Sequence, residues 1–354
     1  VTSPSTPQRV LLFTEQDPLV LANGEQLTEV EIAYQTWGTL NEDASNAVFI
    51  AHALTGDANA AGWWSSLVGP GRPVDTDRFF VICPNLLGGC SGSTGPRSTN
   101  PATGTPYGLD FPLLAMTDLV AAHRRLIAHL GITRLHAAVG GSLGGMQLLQ
   151  WSIEASEEIG RAVLVAATSR LTAENIAFSA VARAAITGDP GFENGQYAVG
   201  AGPRHGMAIA RMMAHITYVS PQSLETKFGR RLQGGQSTPG FGVDFEVESY
   251  LDHQGRSFLE RFDALTYLYF TRVMDYFDPF ADPAAASAIT DTTFLVLSFD
   301  SDWRFGTQHS VRIEEELAAA GVEVTRHELP APHGHDSFLF TVPGYQETVR
   351  DFLA

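Results

Sequence analysis

The sequence predicts an α/β protein, with a mostly parallel sheet, helices on both faces and one inserted helical subdomain. Three observations predict it. Short apolar or alternating runs alternate with helix-period runs up to residue 168. From Ser169 to Ser287 only irregular helical runs occur. The strand–helix rhythm then resumes with "TTFLVLSF". The division implied is a core domain of residues 1–168 and 288–354, with 169–287 as a helical lid insertion.

The elements follow in order. The opening "VTSPSTPQR" reads as a loose leader. "RVLLF", "EVEIAYQTWG" and "NAVFIAHAL" read as strands parted by turn residues such as Asn23-Gly24. Strand "FFVICPN" leads into the Gly/Pro/Ser/Thr-rich segment 86–108, whose composition fits no periodic element. Long loops of this kind are often functional. "LLAMTDLVAAHRRLIAHLG" has helical spacing and stops at Gly131. "RLHAAVG" and "RAVLVAAT" (161–168) are further strands. After the insertion come strand "TTFLVLSF", helix "QHSVRIEEELAAAG", strand "VEVTRHEL", loop "PAPHGHDSFL" and helix "GYQETVRDFLA".

Composition narrows the function. A net charge of −17 over 354 residues argues against a nucleic acid or anionic membrane as partner. No apolar run has the length of a membrane span, so a cytoplasmic location is expected. Cys83 and Cys90 make neither a disulfide framework nor a zinc signature. No metal site is expected.

"AVGGSLGGMQ" (138–147) carries the chemistry. It fails the dinucleotide fingerprint, because Ser142 stands where the second glycine is required. It fails the P-loop template, because Lys227 is the only lysine. Gly140-x-Ser142-x-Gly144 does fit G-x-S-x-G, between a strand and a helix. There a serine occupies a sharp turn that admits only small neighbours. A close strand–helix packing turn is the structural alternative.

A serine nucleophile needs a base, and the base needs an orienting carboxylate. Strand "TTFLVLSF" is followed by Asp300-Ser301-Asp302, and one helix and strand later comes "HGHDSF". That is the chain order Ser, acid, His of the α/β-hydrolase fold. The assigned triad is Ser142, Asp302 and His335, with Asp300 as the fallback acid. Turn or capping roles for the aspartates, and a solvated-loop role for His333 and His335, are the alternatives. The backbone N–H groups of Leu54, in "HALTGD", and of Leu143 are the candidate oxyanion-hole donors.

Taken together, "HALTGD", "PNLLGGCSGSTGPRSTNPATGTPYG", "GGSLGGMQ", "ARMMAHITY", "FDSDWRF" and "GHDSFL" resemble the homoserine O-acyltransferases of methionine biosynthesis. The resemblance runs from about Leu12 to Leu353. It implies a ping-pong transfer from acyl-CoA through a Ser142 acyl-enzyme to L-homoserine. Acetyl-CoA is the expected donor, consumed as a substrate, with no permanently bound cofactor. By motif match Arg211 and Tyr218 would hold the acceptor carboxylate, and Asp336 its ammonium. A homodimer through the helical lid is also implied. Arg304 and Gly306 stand where the family pattern has leucine and proline, and "ANAAG" after "HALTGD" is also unusual. Arg304 keeps a succinyl donor open, because a distal carboxylate needs a cation. An esterase on the same triad, or a non-catalytic binding protein on this fold, are the rival classes.

Overall fold

Eight strands form one sheet in the computed structural model, which describes residues 7–198, 200–235 and 240–354. They are β1 (Gln8–Phe13), β2 (Val30–Trp37), β3 (Ala47–Ala51), β4 (Phe80–Pro84), β5 (Leu135–Gly141), β6 (Ile159–Val165), β7 (Thr293–Phe299) and β8 (Val324–Leu329). Their spatial order is β1-β2-β4-β3-β5-β6-β7-β8. β2 is antiparallel to both β1 and β4, and all other pairings are parallel. Central strands such as "AVFIA" are buried along their whole length, as a strand covered on both faces requires.

The core helices are α1 (Met116–His129), α2 (Leu143–Glu154), α8 (Thr307–Ala319) and α9 (Tyr345–Leu353); between β6 and β7 lie α3 (Ala173–Gly188), α4 (Arg204–Tyr218), α5 (Pro221–Lys227), α6 (Glu246–Phe258) and α7 (Ala264–Asp275). One face of the sheet buries Phe49, Leu148 and Trp151 with α1 and α2. The other buries Trp64, Val139, Leu297 and Tyr345 with α9. α1 starts where the Asp118 carboxylate accepts the N–H groups of Ala115 and Ala22, at 2.7 and 2.8 Å. It stops just before Gly131, whose φ of +76° ends the helical path. No described helix is long and apolar enough to cross a membrane.

Several local expectations change. Gln8 and Arg9 are not part of a leader but pair with Tyr34 and Ala33 in β1; residues 1–6 lie outside the described residues. β6 ends at Val165, because Ala166 turns the chain with φ +48°. The loop holding the candidate histidine contains a 3-10 turn, Gly334–Leu339. Segment 86–108 is also more ordered than its composition suggests. Thr94 N–H donates to Glu31 O at 2.8 Å, and Ala33 N–H donates to Ser93 Oγ at 3.0 Å. Hydroxyl and backbone groups thus stitch the loop to β2 without a periodic pattern.

α2 lies unusually close to the sheet. A Cβ on Gly144 would stand 2.0 Å from Ala51 O, at the end of β3. A methyl group there forces helix and strand apart. Gly144→Ala is therefore expected to destabilise the fold by about 1–3 kcal/mol, read as a lower denaturant midpoint at unchanged slope.

Candidate active site

Ser142 occupies the turn between β5 and α2, with φ +55° and ψ −120°. A residue bearing a Cβ rarely adopts positive φ, so its surroundings must hold it there. Ser142 N–H donates to Val165 O at 2.9 Å, and Ser142 C=O accepts Gly145 N–H at 3.0 Å. A Cβ on Gly140 would meet the Gly144 carbonyl carbon at 2.4 Å. The glycines of "GGSLGG" therefore serve the close strand–helix crossing that the turn requires.

The three triad candidates converge. His335 Nε2 lies 2.9 Å from Ser142 Oγ, and His335 Nδ1 lies 2.8 Å from Asp302 Oδ2. With Nδ1–H donating to the carboxylate, Nε2 is left to accept the serine proton. Asp302 Oδ1 accepts the N–H groups of Arg304 and Phe305, each at 2.9 Å. Burial raises the Asp302 carboxyl, but the neighbouring His335 and these donors outweigh it and hold it below the ordinary carboxylate range. Asp300 is turned elsewhere: its Oδ1 accepts Ala331 N–H at 2.9 Å. Ser301 Oγ accepts Gly334 N–H at 2.9 Å and donates to Ala331 O, so these two residues fix the histidine loop. The His333 ring packs on Phe340, at 4.7 Å between centroids.

Leu54, Ser142, Arg211, Tyr218, His335 and Asp336 line one cavity of about 230 Å³. Leu143 is the first residue of α2, next to Ser142. Neither the Leu54 nor the Leu143 N–H donates to a protein acceptor among the hydrogen bonds of the described residues.

Arg211 extends from α4, with its guanidinium 4.4 Å from the Phe258 ring centre and 5.8 Å from that of Tyr218. Its Nε and Nη1 are buried without a hydrogen-bond partner among the described residues. A buried, unpaired guanidinium is costly unless an anion joins it. Asp336 follows His335 on the cavity wall. Burial pushes its carboxyl up to about 6, partly countered by His335 and Arg211 and reinforced by Asp302. The Tyr218 and His335 rings stand 5.9 Å apart. Arg304 does not line the cavity. It stacks behind Tyr218, at 5.3 Å from the ring centre, and its Nη1 donates to Thr217 Oγ1 at 3.0 Å. Gly306 stands directly before α8, outside the cavity lining.

Sequence reasoning missed Asp57, Trp63 and Arg261, which also line the cavity. Arg261 follows α6 in a run that reads as an ordinary helix face, and Nη1 donates to Thr55 O at 2.8 Å. No local spacing marks it. Segment 86–108 contributes no lining residue, so its effect on the site is indirect.

A nucleophile, a general base, an orienting carboxylate and two N–H donors together can run acyl transfer. The unpaired cation and the nearby carboxylate match the two charges of an amino acid.

The α/β hydrolase fold family matches residues 46–341. The homoserine O-succinyltransferase of Nocardioides sp. (strain ATCC BAA-499 / JS614) is 62% identical over 98% of this chain and 97% of its own length. The solved homoserine O-acetyltransferase from Bacillus anthracis superposes with TM-score 0.89 at 25% identity, over 98% of this chain and 97% of that one. Esterase E22 superposes with TM-score 0.88 at 26% identity, over 98% and 100%. With near-complete coverage at that identity, this chain belongs to the homoserine O-acyltransferase family, built on the α/β-hydrolase fold.

Proposed function

We propose that this protein transfers an acyl group from acyl-CoA to the hydroxyl of L-homoserine, as a cytoplasmic enzyme of methionine biosynthesis. The observation that carries the reading is Arg211 on the wall of the Ser142 cavity, whose buried Nε and Nη1 have no hydrogen-bond partner among the described residues. A simple ester substrate gives it no counter-ion, whereas an amino-acid acceptor does.

The steps follow from the geometry. Ser142 Oγ gives its proton to His335 Nε2 and attacks the thioester carbonyl. The oxyanion takes the N–H groups of Leu54 and Leu143. Collapse breaks the C–S bond, and His335 returns the proton to the departing CoA sulfur. Homoserine then enters, its carboxylate on Arg211 and Tyr218 and its ammonium on Asp336. Its hydroxyl passes a proton to His335 and attacks the acyl-enzyme, and the second collapse returns that proton to Ser142 Oγ. No resident cofactor is needed. Two acyl-transfer steps through one serine are each easier than a direct transfer.

Succinyl-CoA is the donor we favour over the expected acetyl-CoA. Arg261 on the cavity wall, near Asp57, and Arg304 against the Tyr218 ring are two guanidiniums beyond the one assigned to the acceptor carboxylate. The 62%-identical relative bears the succinyltransferase name. Acetyl-CoA remains the second reading, supported by the acetyltransferase from Bacillus anthracis. A second copy of the chain would cover the exposed apolar side chains of the lid, Ile176 and Val181 on α3 and Ile209 and Ile216 on α4.

Three measurements test the proposal. CoA thiol release with succinyl-CoA or acetyl-CoA should require homoserine, and Ser142→Ala should lower it at least about 10⁴-fold while the protein remains folded. Equal release without acceptor identifies an esterase instead. Replacing Arg304 by Leu should lower the ratio of succinyl to acetyl kcat/KM by about tenfold, equivalent to roughly 1.4 kcal/mol; an unchanged ratio removes Arg304 from donor selection.

The third measurement is pH dependence. Asp336 must be ionised to hold an ammonium, and its carboxyl is raised to about 6. The anionic fraction falls as pH drops through that value, so the KM for homoserine should rise below pH 6. Asp336→Asn should raise KM at neutral pH and flatten this rise.

A further inference from the structure

Behind the two oxyanion donors lies a buried hydrogen-bond network that takes no part in the proton transfers. A trans peptide is planar, so the C=O of one residue and the N–H of the next point in opposite directions. Holding the carbonyl oxygen therefore aims the N–H. For Leu54 the carbonyl is that of Ala53, which accepts Gly56 N–H at 2.9 Å and lies 2.8 Å from His52 Nδ1. His52 Nε2 accepts Leu86 N–H at 3.2 Å, which places the ring proton on Nδ1 and makes it the donor to Ala53 O. For Leu143 the carbonyl is that of Ser142, held by the N–H groups of Gly145 and Met146 at 3.0 and 3.3 Å.

Gln147 joins the two donor segments. Its Nε2 donates to His52 O and to Leu143 O, both at 3.1 Å. Its Oε1 accepts from His123 Nε2 at 2.8 Å, so His123 carries its proton on Nε2. Gln147 is completely buried, and neither His52 nor Gln147 lines the cavity. Burial lowers the His52 ring and brings His123 down to about 4, so both stay neutral near pH 7 and the donor pattern is fixed. The glycine-rich segment enters here, through Leu86 N–H on His52.

We propose that His52 and Gln147 are positioning residues for acyl transfer. Together they hold the Leu54 and Leu143 N–H groups at one separation, both facing the developing oxyanion. The inference rests on the acyl-transfer reading above. A buried clasp that only supported the fold would change stability; one that sets the oxyanion hole changes kcat while leaving ground-state binding alone.

The experiment uses Gln147→Met and Gln147→Glu, which keep size but lose the amide donor, and His52→Leu, which frees the Ala53 carbonyl. Steady-state kinetics are read beside thermal unfolding and the affinity of an alkylboronic acid, which forms a tetrahedral adduct on Ser142 Oγ. The expected result is kcat lower by about 10–100-fold, KM for both substrates within about threefold, and boronate affinity reduced in step with kcat. Variants that keep kcat and boronate affinity within about threefold of the parent, whatever their stability, overturn the proposal. If Gln147→Met and Gln147→Glu do not fold, His52→Leu decides by the same criterion. The parent protein gives an independent check: ¹⁵N chemical shifts should show Nδ1–H for His52 and Nε2–H for His123, and the opposite tautomers overturn the clasp. If the parent neither transfers an acyl group nor binds the boronic acid, the acyl-transfer reading fails instead.

Discussion

The contact between the start of α2 and the ends of β3 and β5 is the constraint on which the site depends. Gly144 lies so near Ala51 that no side chain fits between them, and Gly140 stands equally close to Gly144. This approach bends the backbone at Ser142 to positive φ. The same bend lifts Ser142 Oγ toward His335 and leaves the Leu143 N–H unused. Strain at one residue is sustained because the strand and helix around it are tightly packed.

Both signs of charge meet at the cavity. The chain carries −17, and Arg211 and Arg261 line the cavity together with Asp57 and Asp336, with Arg304 against the Tyr218 ring. Most arginines elsewhere are offset by acids, as in Arg183–Asp275 and Arg124–Glu158. Among the described residues Arg211 has no such partner, and its Nε and Nη1 are buried without a hydrogen bond, a cost that a bound anion would relieve. Asp336, two residues past Gly334, adds the opposite charge within the same space.

The histidine loop is tied to the helices that lie between β6 and β7. Ser220 Oγ and Ser223 Oγ both donate to Pro332 O, and a Cβ on Gly334 would stand 2.5 Å from Ser220 N. Gly334 also has φ +71°, so the loop has room for neither a side chain nor another backbone path. The base at His335 and the cation at Arg211 are thereby set by one packing arrangement, although they come from separate parts of the chain.

What the sequence determined by itself was everything encoded by local pattern and chain order. Apolar runs of strand length, the small residues around Ser142, and the order Ser142, Asp302, His335 were readable because period, turn chemistry and topology constrain them directly. The long glycine-rich segment was readable as a family mark but not as a structure, because hydroxyl-to-backbone bonds have no period. Tertiary structure alone decided between Asp300 and Asp302, two residues apart and chemically alike, by pointing one at Ala331 and the other at His335. It alone brought Arg261 to the cavity and placed Arg304 one ring behind it. It also linked His52, Gln147 and His123, which stand on a loop and two separate helices. Such links are made in space between distant segments, and a buried hydrogen bond between them leaves no mark on the spacing of residues along the chain.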